Sequence, residues 1–163
     1  MTVSALAFAL ATSQARAQDR DQDQVTRLGD VELRLAMNQE TALARLSDAY
    51  DLRFNFLGPG SWGVFLRDGF PTQFIGAVSF TDGRLTSVVR PWSANDPDIT
   101  AHTIVTALFN ALQDAAQSGR SCRVWVESDR RLDRSIIQCG RRRFDIATSS
   151  SNDFTPSVIE TLQ

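Results

Sequence analysis

Lysine is absent from this chain of 163 residues, in which all seventeen basic residues are arginine. The chain therefore has no side-chain amine that could form a Schiff base or act as a lysine general base. Arginine binds phosphate and carboxylate through paired hydrogen bonds, which invites a functional interpretation. Codon bias in a GC-rich genome is the simpler explanation, so the positions of the arginines matter more than their number.

Histidine and cysteine are also scarce, with one His and two Cys. His102 and two distant Cys do not make a ligand set, so we expect no metal and no cofactor. No G-x-S-x-G motif is present to supply a nucleophile for His102. Gly58 to Gly63 has the spacing G-x-G-x-x-G, but the pattern that follows is a strand rather than a helix. We therefore interpret it as a hairpin turn and reject a dinucleotide site.

The chain has no apolar run of the roughly 20 residues that a membrane span needs, so we expect no transmembrane segment. Val3 to Ala11 is a shorter apolar stretch, followed by Ala15-Arg16-Ala17. This pattern predicts a signal peptide over residues 1–17 and export to the periplasm or the exterior, although no basic residue precedes the apolar stretch. No Cys lies at the cleavage site, so no lipid anchor is indicated. A polar, flexible lead is expected over residues 18–30.

The two cysteines are consistent with export. Two antiparallel strands around Val124 and Ile137 would place Cys122 opposite Cys139. A disulfide between them would stabilise the fold by roughly 3 kcal/mol in the chain-entropy model. Two free buried thiols are the alternative.

The sequence pattern after the predicted signal peptide predicts a single α+β domain over residues 31–162. Alternation predicts strands, and apolar residues at helical spacing predict one helix capped by Asn38 and a longer one closed by Gly119. Asp82-Gly83 between two strand patterns predicts a tight hairpin. A helix followed by antiparallel strands occurs twice, so we expect two helix-plus-hairpin halves, with both helices packed on antiparallel sheet.

Arginines are concentrated around the predicted disulfide hairpin. Residues 120–143 hold eight Arg and three acids, a charge of +5 in a chain whose formal net charge is −2. We expect a basic surface for an anionic envelope component or an acidic protein face. Trp125 is predicted as either an exposed anchor or core. The predicted site comprises Arg123, Trp125, Arg130, Arg131, Arg134, Arg141, Arg142 and Arg143. A solvated hairpin without function is the alternative, and nucleic acid is not expected as a partner.

Residues 35–46 (LAMNQETALARL) resemble the start of small bacterial envelope modules of the outer-membrane lipoprotein SmpA/OmlA and beta-lactamase-inhibitor-like group. Met37 fits the family's Met, Asn38 its capping Thr or Ser, and Leu46 its helix Leu. Ala36, Ser47 and Ala49 replace the family's Gly, Gly and Pro, and its lipid-anchor Cys is absent. The resemblance implies a tandem helix-plus-sheet fold and a binding role.

The function expected from these features is that of an exported, non-enzymatic module that binds a protein or an envelope component. The alternative is a small secreted hydrolase that uses Asp or Glu with His102. Glu127, Asp129 and Asp133 cluster at the tip of the predicted hairpin, but arginines are interleaved with them.

Overall fold

A computed structural model describes residues 24–68, 72–92, 101–117, 119–128, 132–149 and 157–163. The predicted signal peptide lies outside these residues. The described residues form an α+β fold, as expected. Its elements are β1 (Val25–Leu28), β2 (Val31–Arg34), α1 (Gln39–Ala49), β3 (Tyr50–Phe54), β4 (Ser61–Leu66), β5 (Phe74–Thr81), β6 (Arg84–Trp92), α2 (Ala101–Gln117), β7 (Cys122–Ser128), β8 (Leu132–Cys139), β9 (Arg142–Ser149) and β10 (Ser157–Leu162).

Eight strands form one antiparallel sheet in the order β3-β4-β5-β6-β10-β9-β8-β7. Each half of the fold consists of a helix followed by four consecutive strands of the sheet. This unit is longer than the helix-plus-hairpin unit that the sequence predicted. The last strands of the two halves, β6 and β10, pair with Arg90 opposite Glu160. The strand order is therefore symmetric about this junction, and β3 and β7 are the edges of the sheet among the described strands.

The first half contains the main core. Val64, Val78, Val88 and Leu162 lie on one face of the sheet, which we call the inner face. The side chains Ala42 and Leu46 of α1 and Leu28 and Leu33 of the β1–β2 hairpin pack against this face. Because α1 carries its apolar residues on one side, it covers the sheet while its other side stays in solvent.

The β1–β2 hairpin lies partly in segment 18–30, where the sequence predicted a polar, flexible lead. Leu28 is fully buried in the core, although polar residues surround it in sequence. Gly29 turns the hairpin with φ of 57° and lies against the Tyr50 hydroxyl, which accepts a hydrogen bond from the Asp30 N–H at 3.1 Å. This hairpin therefore covers the inner face near the start of β3.

Local signals in the sequence act as predicted at α1 and at the β5–β6 turn. The Asn38 side chain accepts a hydrogen bond from the Glu40 N–H at 2.9 Å and so caps α1. Asp82 and Gly83 both have positive φ, 50° and 69°, as a type I′ turn requires. The turn also accepts a hydrogen bond from the Gln39 N–H, which fixes it beside the start of the helix.

Candidate functional site

The disulfide hairpin has the predicted register. Cys122 pairs with Cys139, Val124 with Ile137 and Val126 with Ser135. The two Cys are joined in a disulfide, with their Cα atoms 4.2 Å apart. The bridge closes one end of β7 against β8, and β7 has no strand on its other side among the described residues.

Strand alternation divides the predicted arginine site between the two faces of the sheet. Arg123 and Trp125 lie on the outer face, together with Arg134 and Arg143 on the neighbouring strands. Arg142 lies on the inner face, opposite Cys139. Arg141 is exposed in the turn between β8 and β9, whereas Arg130 and Arg131 lie outside the described residues. The structure therefore does not bring the eight residues together on one surface.

Arg143 makes internal contacts on the outer face. Its guanidinium donates two hydrogen bonds to Asp145, at 2.9 and 2.8 Å, and lies 5.6 Å from the centre of the Trp125 ring. The hydrogen bond to Asp145 raises the pKa of Arg143, and burial opposes that shift. Trp125 is half-buried, and its indole N–H donates to Glu127 at 3.0 Å. Trp125 is thus neither a free anchor nor core.

Arg142 is held by Glu160, a residue to which sequence reasoning gave no role. The Glu160 side chain is 4% exposed and accepts hydrogen bonds from Arg142 at 2.6 Å, from Arg90 and from the Trp92 indole at 3.3 Å. Arg142 also donates to the Val25 carbonyl at 2.8 Å, which ties β1 to the junction of the two halves. In this cluster Arg142 joins β9, β10 and β1, and 28% of its side chain stays exposed.

Two residues of the predicted site, Arg123 and Trp125, line a shallow groove beside the edge strand β7. Its volume is about 520 Å³, and it is lined by Arg123, Val124, Trp125 and Gln138. No ion pair joins Arg123 to another described residue. The inner-face residues Val124 and Val126 are each 65% exposed. This edge combines one unpaired cation with unprotected apolar side chains.

A second exposed surface lies at the turn between β3 and β4, which sequence reasoning treated only as a glycine turn. Phe54 is 58%, Phe56 42% and Leu57 56% exposed there. No charged residue occurs between Arg53 and Arg67 in the sequence. We call residues 54–60 the apolar tip. The signal for this surface in the sequence is the run of uncharged residues between Arg53 and Arg67.

Ser61 forms hydrogen bonds with backbone groups of the apolar tip. Its hydroxyl accepts from the Leu57 N–H at 2.8 Å and donates to the Gly58 carbonyl at 2.6 Å. The Asn55 N–H donates to the Ser61 carbonyl at 2.7 Å. These polar groups keep their partners when water is removed, so covering the tip carries little of the usual desolvation cost.

Aromatic contacts hold the tip in place. Phe56 packs edge-on against Phe65 and also contacts Phe74, with ring centres 5.1 and 4.9 Å apart. Gly63 is required beneath this cluster, because a Cβ there would lie 2.6 Å from the Phe56 ring. The tip is therefore a preorganised apolar surface.

The residues of the alternative hydrolase do not converge in the described part of the chain. His102 is exposed in the first turn of α2. No group of three or more His, Cys, Asp or Glu side chains lies close enough to hold a metal ion among the described residues. Glu127 receives the Trp125 indole hydrogen bond, and Asp129 lies outside the described residues. The hydrolase stays a prediction without a described site.

No family model, curated protein or solved structure matches this chain. Among the described residues, no helix is both long enough and apolar enough to span a bilayer.

Proposed function

We propose that this protein is an exported, non-enzymatic binding module that docks on a partner protein through the apolar tip. The observation that carries the proposal is the exposure of Phe56 and Leu57 on a neutral, internally hydrogen-bonded turn. Phe54 is exposed at the end of β3, but it packs on Trp62 and lies on the other face of the sheet from Phe56, which packs on Phe65. Adjacent large apolar side chains that stay exposed on a turn mark a candidate protein-interaction surface.

Export is supported by the signal-like residues 1–17 and by the Cys122–Cys139 disulfide. Disulfides persist mainly in oxidising compartments, and the periplasm and the exterior are such compartments. Fractionation of cells that produce the full chain should recover it outside the cytosol, with an N-terminus at Gln18. Full-length chain confined to the cytosol with both thiols free would contradict export.

The partner is a protein with an apolar pocket rather than a lipid surface. An exposed aromatic side chain on a turn can fill a pocket, as aromatic anchors do in protein interfaces. A formal net charge of −2 supplies no general attraction to an anionic bilayer. The partner's pocket would contribute complementarity to Phe56 and Leu57, which are already rigid before binding.

Affinity capture from an envelope extract tests this surface. The double variant Phe56→Ser and Leu57→Ser should lose the protein that the wild-type chain recovers. The matched control is Val105→Ser with Phe109→Ser, because these α2 side chains are also exposed, at 64% and 63%. Recovery that falls in the control and not in the tip variant would assign docking to α2 and refute the proposal.

A further inference from the structure

Among the described residues, no strand pairs with the edge of β7 that lies away from β8. Strand β7 pairs with β8 over seven residues without a register shift, and the disulfide fixes its first residue. Val124 and Val126 are each 65% exposed. Natural proteins usually protect such an edge with bulges, lysines or proline, because its unpaired backbone groups are a template for another strand. Arg123 and Glu127 are its only charged residues.

The pairing with β8 determines which backbone groups face the open edge. The Cα atoms of Cys122 and Cys139 are 4.2 Å apart, a distance typical of a non-hydrogen-bonded antiparallel pair. Alternation then directs the N–H and C=O groups of Arg123, Trp125 and Glu127 toward β8. Those of Val124 and Val126 point away from β8 and are available to a further strand.

We propose that β7 pairs antiparallel with β7 of a second copy of this chain, about a two-fold axis at Trp125. The sequence Arg123-Val124-Trp125-Val126-Glu127 is self-complementary in this register. Arg123 lies opposite Glu127 of the second copy, and Val124 lies opposite Val126. Val124 and Val126 are also the residues whose N–H and C=O groups point to the open edge. The register that pairs Arg123 with Glu127 therefore also lets Val124 and Val126 form backbone hydrogen bonds across the axis. A register centred on Val124 places Arg123 opposite Trp125, and one centred on Val126 places Glu127 opposite Trp125, so neither pairs the two charged residues of β7 with each other.

The other edge strand, β3, is not equivalent. Asp51 of β3 already lies 3.7 Å from Arg67, and Arg53 lies over the Phe65 ring at 4.3 Å. Tyr50 is buried beneath the β1–β2 hairpin. By contrast, β7 has one arginine, Arg123, that forms no ion pair with another described residue, and an exposed apolar pair, Val124 and Val126. Pairing of β7 with itself also closes the assembly at two copies, whereas pairing of β7 with β3 would extend without end.

A second copy is favoured over an unrelated extended peptide because the strand supplies its own charge complement. The groove lined by Arg123, Trp125 and Gln138 lies beside the same edge, so the second copy would cover it. This dimer does not involve the apolar tip and is independent of the proposed partner binding.

Charge reversal across the axis tests the dimer with the oxidised chain. Light scattering after size exclusion should give twice the mass of one chain for the wild type. Arg123→Glu or Glu127→Arg alone places like charges opposite each other, and should weaken dimerisation by about tenfold or more. An equimolar mixture of the two single variants, or the double variant that carries both changes, should restore the dimer.

The restored dimer also shows that the single variants are folded. Val126→Pro offers a second route, because it removes an N–H that points to the open edge and none of those bonded to β8. It should yield a folded monomer. A wild-type chain that stays monomeric at submillimolar concentration, or a dimer insensitive to both single reversals and to Val126→Pro, would overturn the proposal.

Discussion

Replacing Glu160 by alanine should weaken the junction between the two halves of the sheet. The Glu160 carboxylate is 4% exposed and accepts hydrogen bonds from Arg90, Arg142 and the Trp92 indole. Removing one partner of a buried ion pair typically costs 3–5 kcal/mol, since the charge left behind stays desolvated. Arg90 and Arg142 keep 37% and 28% of their side-chain exposure, so water partly compensates them. We therefore expect a loss of about 2–3 kcal/mol.

Urea unfolding followed by tryptophan fluorescence, with the disulfide intact, measures this loss. The midpoint should fall while the slope stays constant, and the melting temperature should drop by about 5–10 °C for a domain of this size. Asp51→Asn is the matched control, because the side chains of Asp51 and Arg67 are both exposed. Their ion pair should contribute about 0.5 kcal/mol or less to the free energy of unfolding. The reasoning is refuted if Glu160→Ala shifts the midpoint no further than Asp51→Asn.

Three further predictions concern the bridge, one turn and the arginine surface. Cys122→Ser with Cys139→Ser should lower the free energy of unfolding by about 3 kcal/mol, measured by urea titration against the oxidised wild type; an unchanged midpoint would contradict this. Gly29→Ala should cost about 1–2 kcal/mol more than Gly83→Ala, since both positions have positive φ but only at Gly29 does a Cβ meet the Tyr50 hydroxyl; equal melting temperatures would count against it. If the arginine surface expected from the sequence binds an anionic envelope component in addition to the partner of the apolar tip, reversal of Arg130, Arg131, Arg134 and Arg141 to Glu should reduce capture of that component; Arg142 and Arg143 stay intact because they hold Glu160 and Asp145, and undiminished capture would eliminate that surface.

Local patterns predicted much of the second half of the fold. The segments that form β7 and β8 each contain alternating apolar residues and one Cys. One pairing of the two segments aligns the apolar residues and also places the two Cys opposite each other, so the register of β7 and β8 could be predicted from the sequence. The same alternation also separates Arg142 from Arg143, because neighbouring strand residues point to opposite faces. Arg142 and Arg143 are therefore not members of one cluster, and the structure places them in different ion pairs.

Long-range partners explain what the sequence did not predict. Val25 to Leu28 is a strand only because Val31 to Arg34 pairs with it and the core receives Leu28. Glu160 shares a face with Val158 and Leu162, so its place on an apolar face was visible. Its partners Arg90 and Arg142 lie 70 and 18 positions away, and no local pattern names them. The exposure of the apolar tip likewise depends on which surfaces the rest of the fold leaves uncovered.

Site-specific photo-crosslinking at Leu57 is the most direct measurement of the central claim, that the apolar tip docks on a partner protein. A photoreactive phenylalanine analogue at position 57 should give one discrete heavier product in cells that export the chain. Excess wild-type chain should compete that product away, and the Phe56→Ser chain should compete poorly. The same analogue at Phe109 of α2, which is 63% exposed against 56% for Leu57, should give none. A product at position 109 with none at position 57 would contradict the account.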